Sequence, residues 1–235
     1  MPAGATAGGI AVVIDVLRAS TTIATALAHG AAAVRPVAGI EEARGLAAVL
    51  GAGTLLGGER GGVRIPGFDL GNSPLEYTPD RVAGKTIVIT TTNGTAALHA
   101  CREAREILVG ALVNRTAVAD EVRRLAGDSV PVHLVCAGTG GEITAEDVLA
   151  AGAILDAAAA GFVEALDESA REAVAFFRRV AAAVDVQSGL VAEFRRSPGG
   201  SNLVDLGMEA DLPVAAAIDS LAVVPRLDRA SGRLI

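Results

Sequence analysis

Six short apolar runs, separated by segments of helical periodicity, constrain the fold of this chain more than any other sequence feature. The runs are Ile10–Val16, Ala33–Val37, Thr54–Gly57, Thr86–Thr90, Glu106–Val109 and Val132–Ala137. They lack the polar alternation of half-buried strands, so we expect strands buried on both faces, as in a parallel or mostly parallel sheet. Helices are predicted between them at Ser20–His29, Ile40–Leu50, Thr95–Arg102, Thr116–Leu125 and Ala145–Ala160. This alternation predicts an α/β fold.

The pattern changes to helices after Phe162. Two helices are predicted at Glu168–Val184 and Ser188–Arg196, followed by a glycine-rich link at Ser197–Ser201 and a last apolar run at Leu221–Pro225. We therefore predict an α/β core over residues 1–162. Residues 163–235 form a C-terminal helical segment with a last strand, which is either a small separate lobe or a continuation of the core domain.

The charge distribution excludes several classes of partner. The 235 residues carry a formal net charge of −7 and show no basic stripe, so we do not expect nucleic acid to bind. The N-terminus lacks the basic and apolar regions of a signal peptide, and the apolar run from Leu149 to Ala160 is too short to span a bilayer. Cys101 and Cys136 are too few for a disulfide scaffold. We expect a soluble, cytoplasmic protein that does not bind membranes.

Three loops rich in hydroxyl groups and glycine directly follow predicted strands. They are Asp15–Thr22, Thr90–Thr95 and Cys136–Glu142, and each leads into a helix. In open α/β sheets ligands bind beyond the carboxyl ends of the strands, and free amides at helix N-termini favour anions. Each loop taken separately is typical of a helix cap or a turn. Three at equivalent topological positions favour a site for a small anionic, phosphorylated substrate.

The candidate substrate-binding residues come from these loops and from a long glycine-rich segment, residues 57–74. They are Ser20, Thr21, Thr22, Asn72, Thr91, Thr92, Asn93, Gly94, Thr95, Gly138 and Thr139. A loop as long as residues 57–74 inside a domain is usually functional or disordered, and this one ends in a Ser-Pro-Leu-Glu helix start that a disordered linker does not need.

Carboxylates in the same regions are suited to a hard cation. Asp15, Glu59, Asp69 and Glu142 are the predicted metal ligands, since Mg²⁺ needs one or two carboxylates together with substrate oxygens. Glu146 and Asp147 either join this set or serve only to favour their own helix N-terminus.

Several phosphatase templates are absent. The residue six positions after Cys136 is Glu142, so the Cys-x5-Arg motif of cysteine phosphatases is missing, and no glycine-lysine phosphate loop occurs. His29, His99 and His133 lie in apolar helix or strand patterns, which favours packing roles over a histidine nucleophile.

The motifs together resemble the 2-phosphosulfolactate phosphatase family. They are VVIDVLRASTTIATALAHGA, LGGERGG, GFDLGNSPLEY, TTTNGTAAL, LVCAGTGGEITAEDVLAAG and SPGGSNLVDLG, colinear from about Ile10 to Ile235. The resemblance implies a three-layer α/β/α fold with a largely parallel or mixed sheet, and a homodimer. It also implies a Mg²⁺-dependent phosphatase that hydrolyses phosphate esters of 2-hydroxy acids, with 2-phosphosulfolactate to sulfolactate, a step toward coenzyme M, as the namesake reaction.

The residues and the resemblance give one mechanistic hypothesis. Asp15, Arg18, Arg60 and Asp69 are the predicted catalytic residues, with the two arginines neutralising the phosphate and a second anionic group of the substrate. Direct attack by water and a phosphorylated Asp15 remain alternatives. A phosphatase for another 2-hydroxy acid phosphate, or a non-catalytic protein that binds a phosphorylated ligand, are the alternative functions.

Overall fold

Nine strands form two sheets in the computed structural model, which describes residues 4–127, 129–158 and 166–235. The strands are β1 Ile10–Ile14, β2 Ala33–Pro36, β3 Thr54–Arg60, β4 Val63–Arg64, β5 Thr86–Thr90, β6 Glu106–Gly110, β7 Val132–Cys136, β8 Leu227–Asp228 and β9 Arg233–Leu234. The first sheet has the order β6-β1-β7 and is entirely parallel. The second has the order β4-β3-β5-β2-β9-β8, with β3, β5 and β2 parallel and the outer strands antiparallel.

Helices connect and cover these strands. They are α1 Ala19–Ala28, α2 Ile40–Leu50, α3 Pro79–Val82, α4 Gly94–Ala100, α5 Arg115–Ala126, α6 Ala145–Ala158, α7 Glu168–Ala181, α8 Val186–Arg196, α9 Pro198–Asp205 and α10 Asp211–Ala215. Short 3₁₀ turns lie at Pro74–Glu76 and Leu112–Asn114. In the part of the chain that the structure describes, no helix is long and apolar enough to cross a membrane.

Each sheet is covered by helices on both faces. Val12 of β1 faces the core that contains Leu149 of α6, together with residues of α5, α7 and α8. Val13 faces the opposite core, which contains Ile23 of α1 and residues of α4 and β5. The other face of the second sheet packs Val88 against α2. Neighbouring strand residues are buried against opposite cores, which confirms the predicted α/β/α layers.

The predicted strands and helices of residues 10–158 are confirmed to within a few residues, except that β3 continues to Arg60 and carries Glu59. The single predicted sheet is two sheets. They are joined where Arg226 pairs with Leu108 of β6 and Val109 donates a backbone hydrogen bond to Pro225 at 2.9 Å. The predicted end of α6 at residue 160 and the domain boundary at 162 lie outside the described residues.

Two predictions for the C-terminal segment are wrong. Residues 197–201 do not form a link but begin α9, because Ser197 Oγ accepts a hydrogen bond from the Gly200 N–H at 3.1 Å. Gly200 also lets α9 approach α8 closely, since a Cβ there would lie 1.8 Å from the carbonyl oxygen of Phe194. Residues 221–225 do not form a strand, and the last strands are β8 and β9.

Candidate functional site

Asp15 lies directly after β1, where the carboxyl ends of the parallel strands of both sheets meet. Its carboxylate accepts a hydrogen bond from the Ala19 N–H at 3.2 Å, and the Gly94 N–H also stabilises it. Gly94 begins α4 in the loop after β5, and a Cβ there would lie 2.6 Å from Asp15 Oδ2. Asp15 therefore joins the loop after β1 to the loop after β5, and only glycine permits this approach.

Glu59 near the end of β3 joins two further segments. Its Oε1 accepts a hydrogen bond from the Thr92 N–H at 2.7 Å, and its Oε2 accepts one from the Gly62 N–H at 2.7 Å. Thr92 Oγ1 also donates to Glu59 Oε2 at 3.3 Å. The carboxylate thus fixes the β3–β4 turn against the loop after β5.

Glu146 and Asp147 come from the first turn of α6. Asp147 accepts hydrogen bonds from the Val16 N–H at 2.8 Å and the Gly138 N–H at 3.0 Å, so it joins the loops after β1 and β7. Glu146 differs, because its buried Oε2 has no hydrogen-bond partner among the described residues. Its Oε1 would lie 2.5 Å from a Cβ at Gly199, which places the N-terminus of α9 against it.

We call Asp15, Glu59, Glu146 and Asp147 the carboxylate cluster. Each side chain is at most 8 % exposed, and none takes part in an ion pair within the described part of the chain. Burial, followed by repulsion from Glu59 and Glu146, raises the pKa of Asp15 to about 7. Burial and the charge of Asp15 raise the pKa of Asp147 well above its usual range. Ionising all four carboxylates together is therefore unfavourable unless a cation neutralises them.

The carboxylate cluster offers oxygen atoms of the kind that hard divalent cations bind. A buried carboxylate without a partner is strongly unfavourable unless its charge is neutralised. Glu146 Oε2 is such an oxygen, since no donor of the described residues bonds to it. Among residues 4–127, 129–158 and 166–235, no three acidic, histidine or cysteine side chains converge into a complete ligand set. Mg²⁺ suits such a site, because it keeps several waters and binds through one or two carboxylates plus substrate oxygens.

Both predicted catalytic arginines already have protein partners. The guanidinium of Arg18 pairs with Asp211 at 2.8 Å and donates to the carbonyl oxygen of Gly62 at 2.6 Å. Half-buried Arg60 donates to the carbonyl oxygen of Glu59 at 2.7 Å and to Thr90 Oγ1 at 2.9 Å. Arg18 is 3 % exposed. Arg60 is therefore the more accessible of the two to a bound anion.

Most of the predicted hydroxyl donors bond to the backbone. Ser20 donates to the carbonyl oxygen of Val13 at 3.2 Å, and Thr21 donates to that of Val16 at 2.8 Å. Thr22 Oγ1 donates to the Asn72 carbonyl oxygen at 2.7 Å. These hydroxyl groups shape the loop after β1 and attach it to the segment around Asn72.

The loop after β5 divides into internal and outward-facing residues. Thr95 Oγ1 donates to the Thr91 carbonyl oxygen at 2.9 Å, while Thr91 Oγ1 accepts from the Thr95 N–H at 3.2 Å, so this pair begins α4. Thr92 is exposed and Asn93 half-buried at the surface of the same loop. Thr92 and Asn93 are therefore the members of this loop best placed to contact a ligand.

Two predicted metal ligands, Asp69 and Glu142, have exposed side chains, unlike the buried members of the carboxylate cluster. Asp69 is exposed, and its Oδ2 accepts a hydrogen bond from the Leu56 N–H at 2.8 Å, three residues before Glu59 along β3. Glu142 is exposed in a turn in which its N–H and carbonyl oxygen both pair with Thr139. The structure brings Glu146 and Asp147 to the cluster in their place. The sequence signal for that pair was their position just after a glycine loop.

Known proteins are similar to this chain over most of its length. Residues 1–230 match the family described as 2-phosphosulpholactate phosphatase. A protein of Symbiobacterium thermophilum named "Probable 2-phosphosulfolactate phosphatase" is 45% identical over 95% of this chain and 93% of its own length. A protein of the same name from Synechococcus sp. (strain CC9605) is 46% identical over 92% of this chain and 87% of its own length. Another, from Deinococcus radiodurans, is 41% identical over 93% of this chain and 87% of its own length. The chain belongs to this family. It is a phosphoric monoester hydrolase. The resemblance of its sequence motifs to this family is confirmed.

Cys136 occupies the position in which a cysteine phosphatase would carry its nucleophile, at the end of β7 before a glycine loop. Burial, with repulsion from Asp147 and Glu146, raises the pKa of its thiol to about 12. A thiolate is the nucleophilic form, so this environment opposes nucleophilic catalysis.

Cys136→Ser is therefore expected to keep kcat within about threefold of wild type, since this half-buried thiol packs against the core as a small apolar side chain. Cys101→Ser, at the fully buried thiol, is the control for loss of packing. Phosphate covalently attached to Cys136 after acid quenching during turnover would contradict this assignment.

Proposed function

We propose that the protein is a Mg²⁺-dependent phosphatase for monoesters of small 2-hydroxy acids, with 2-phosphosulfolactate as substrate and sulfolactate as product. The carboxylate cluster supports this most directly, because it concentrates buried negative charge at the carboxyl ends of the strands. The substrate is inferred from the names of the relatives. Formation of sulfolactate is a step toward coenzyme M.

Glu146 and Asp15 are the residues we propose to hold the cation. Glu146 offers an oxygen without a protein donor, and Asp15 lies where the two sheets meet. Glu59 and Asp147 each accept backbone hydrogen bonds from two segments, so fewer of their oxygen lone pairs remain for a cation. Bound Mg²⁺ would neutralise charge on the transferring phosphoryl group.

The remaining task of the chain is to bind and orient the ester. Arg60 is fixed by Glu59 and Thr90 in a half-buried position, from which a guanidinium can reach an anion without reorganising. Thr92 and Asn93 provide neutral donors beside it. Hydrolysis breaks the bond between phosphorus and the ester oxygen, which leaves as the product hydroxyl, while water supplies the new oxygen on phosphate. Two routes are compatible with this arrangement. Water attacks the phosphorus of the ester directly, or Asp15 first takes the phosphoryl group and water then hydrolyses the phosphorylated Asp15.

Two other functions are alternatives for this site. A phosphatase for a different 2-hydroxy acid phosphate would use the same site. A non-catalytic receptor for a phosphorylated ligand is disfavoured, because an anion receptor gains nothing from four buried carboxylates. A homodimer, implied by the family resemblance, is part of the proposal.

Removal of the cation should abolish turnover of 2-phosphosulfolactate. EDTA is expected to eliminate phosphate release and excess Mg²⁺ to restore it. Asp15→Asn and Glu146→Gln are expected to lower kcat/KM at least about a hundredfold, the usual consequence of removing a major electrostatic group. Asp120→Asn removes a surface carboxylate of α5 and should leave the rate unchanged. Full activity in EDTA would refute the requirement for a metal.

A second anionic group on the substrate should improve catalysis. Esters of 2-hydroxy acids are expected to exceed glycerol phosphate by about ten- to a hundredfold in kcat/KM, because a charge-assisted contact contributes roughly 1.5–3 kcal/mol. Arg60→Lys should reduce that preference, since lysine lacks the bidentate fork. Arg124→Lys, at an exposed pair with Glu121, is the control. Equal kcat/KM for phospholactate and glycerol phosphate would contradict the second contact.

A further inference from the structure

Asp211 is a buried carboxylate far in sequence from the site. It begins α10 and is 2 % exposed. Its Oδ2 accepts a hydrogen bond from Arg18 Nη1 at 2.8 Å, and its Oδ1 accepts one from Ser73 Oγ at 2.5 Å. Asp211 thus joins the C-terminal segment to the loop after β1 and to the segment before the first 3₁₀ turn.

Arg18 extends this contact to the carboxylate cluster. Its Nη1 also donates to Met208 Sδ at 3.0 Å, and its Nη2 donates to the carbonyl oxygen of Gly62. The N–H of Gly62 in turn donates to Glu59 Oε2 at 2.7 Å. A continuous path of hydrogen bonds therefore runs from Asp211 through Arg18 and Gly62 to Glu59.

Arg18 is charged, so this path of hydrogen bonds also affects the electrostatics of the site. Arg18 lies three residues after Asp15, and its guanidinium contacts the turn that holds Glu59. A buried guanidinium needs a counterion, and without Asp211 the nearby negative charge is the carboxylate cluster itself. Asp211 therefore supplies the counterion of Arg18, whose other bond holds the carbonyl oxygen of Gly62 in the β3–β4 turn.

We propose that Asp211 is a positioning residue for the catalytic site, acting through Arg18 to keep the carboxylate cluster available for a cation. This inference rests on the proposed metal-dependent function. It also changes the expected role of Arg18. With two of its nitrogens bonded to Asp211, Met208 and Gly62, Arg18 shapes the site, and Arg60 remains the arginine placed to meet the substrate.

The test is a calorimetric titration of Mg²⁺ into the purified full-length protein without substrate. It is carried out well below the unfolding temperature of each variant. Asp211→Asn is expected to weaken Mg²⁺ binding by about ten- to a hundredfold, the range found when a residue supporting a metal ligand is lost. Asp211→Glu should recover part of the affinity, because it restores the counterion of Arg18.

Asp219→Asn is the matched control, because it removes the partner of Arg115, at 2.7 Å, in the same C-terminal segment but at a 32 % exposed carboxylate. It should leave Mg²⁺ affinity unchanged. If Asp211→Asn does not fold, Ser73→Ala removes one hydrogen bond from the same carboxylate. Its expected effect is a smaller loss of affinity in the same direction, about two- to fivefold.

Two results distinguish the inference from the proposed function. Wild-type Mg²⁺ affinity in both Asp211→Asn and Ser73→Ala would overturn the positioning role and leave the phosphatase proposal intact. Absence of Mg²⁺ binding by the wild-type protein would overturn the metal proposal instead. The inference, which rests on that proposal, would then fall with it.

Discussion

The burial of four carboxylates beside one another is the constraint on which the site depends. Asp15, Glu59 and Asp147 are stabilised by backbone N–H groups of neighbouring loops, which lower the cost of burying their charge but do not neutralise it. Glu146 lacks even that support at Oε2. A fold that collects negative charge in this way needs either protons or a cation at the same place, and this requirement links its stability to its function.

The same hydrogen bonds determine the shape of the site. Glu59 and Asp147 each hold two segments, so four loops from both sheets meet around the cluster. Arg18 and Asp211 add the C-terminal helices to this assembly. Many groups that resemble phosphate ligands in the sequence therefore serve to position the loops. In the proposed function, Arg60 and the outward-facing part of the loop after β5 are the groups that contact the substrate.

The sequence predicted the strand positions well, because a continuous apolar run of five residues leaves few alternatives to a buried strand. It also located three of the loops correctly at the carboxyl ends of strands. It could not distinguish Asp69 from Glu146, since both adjoin glycine-rich segments and their orientation depends on tertiary packing. The pairing of Arg18 with Asp211 spans 193 residues and leaves no local pattern. The glycines of residues 197–201 suggested a link, but the Ser197 cap and the contact with α8 make them a helix start.

Thermal unfolding as a function of pH tests the account most directly. The pKa of Asp15 rises on folding from 3.8 to about 7, so the folded state binds the proton more tightly and loses stability as pH rises through that interval. In EDTA, Tm of the wild-type protein should fall between about pH 4 and 7 more steeply than Tm of Asp15→Asn. Mg²⁺ should remove most of this difference by neutralising Asp15 and its neighbours Glu59, Glu146 and Asp147. Identical pH profiles for the two proteins in EDTA, or a wild-type Tm that Mg²⁺ does not change, would contradict the account.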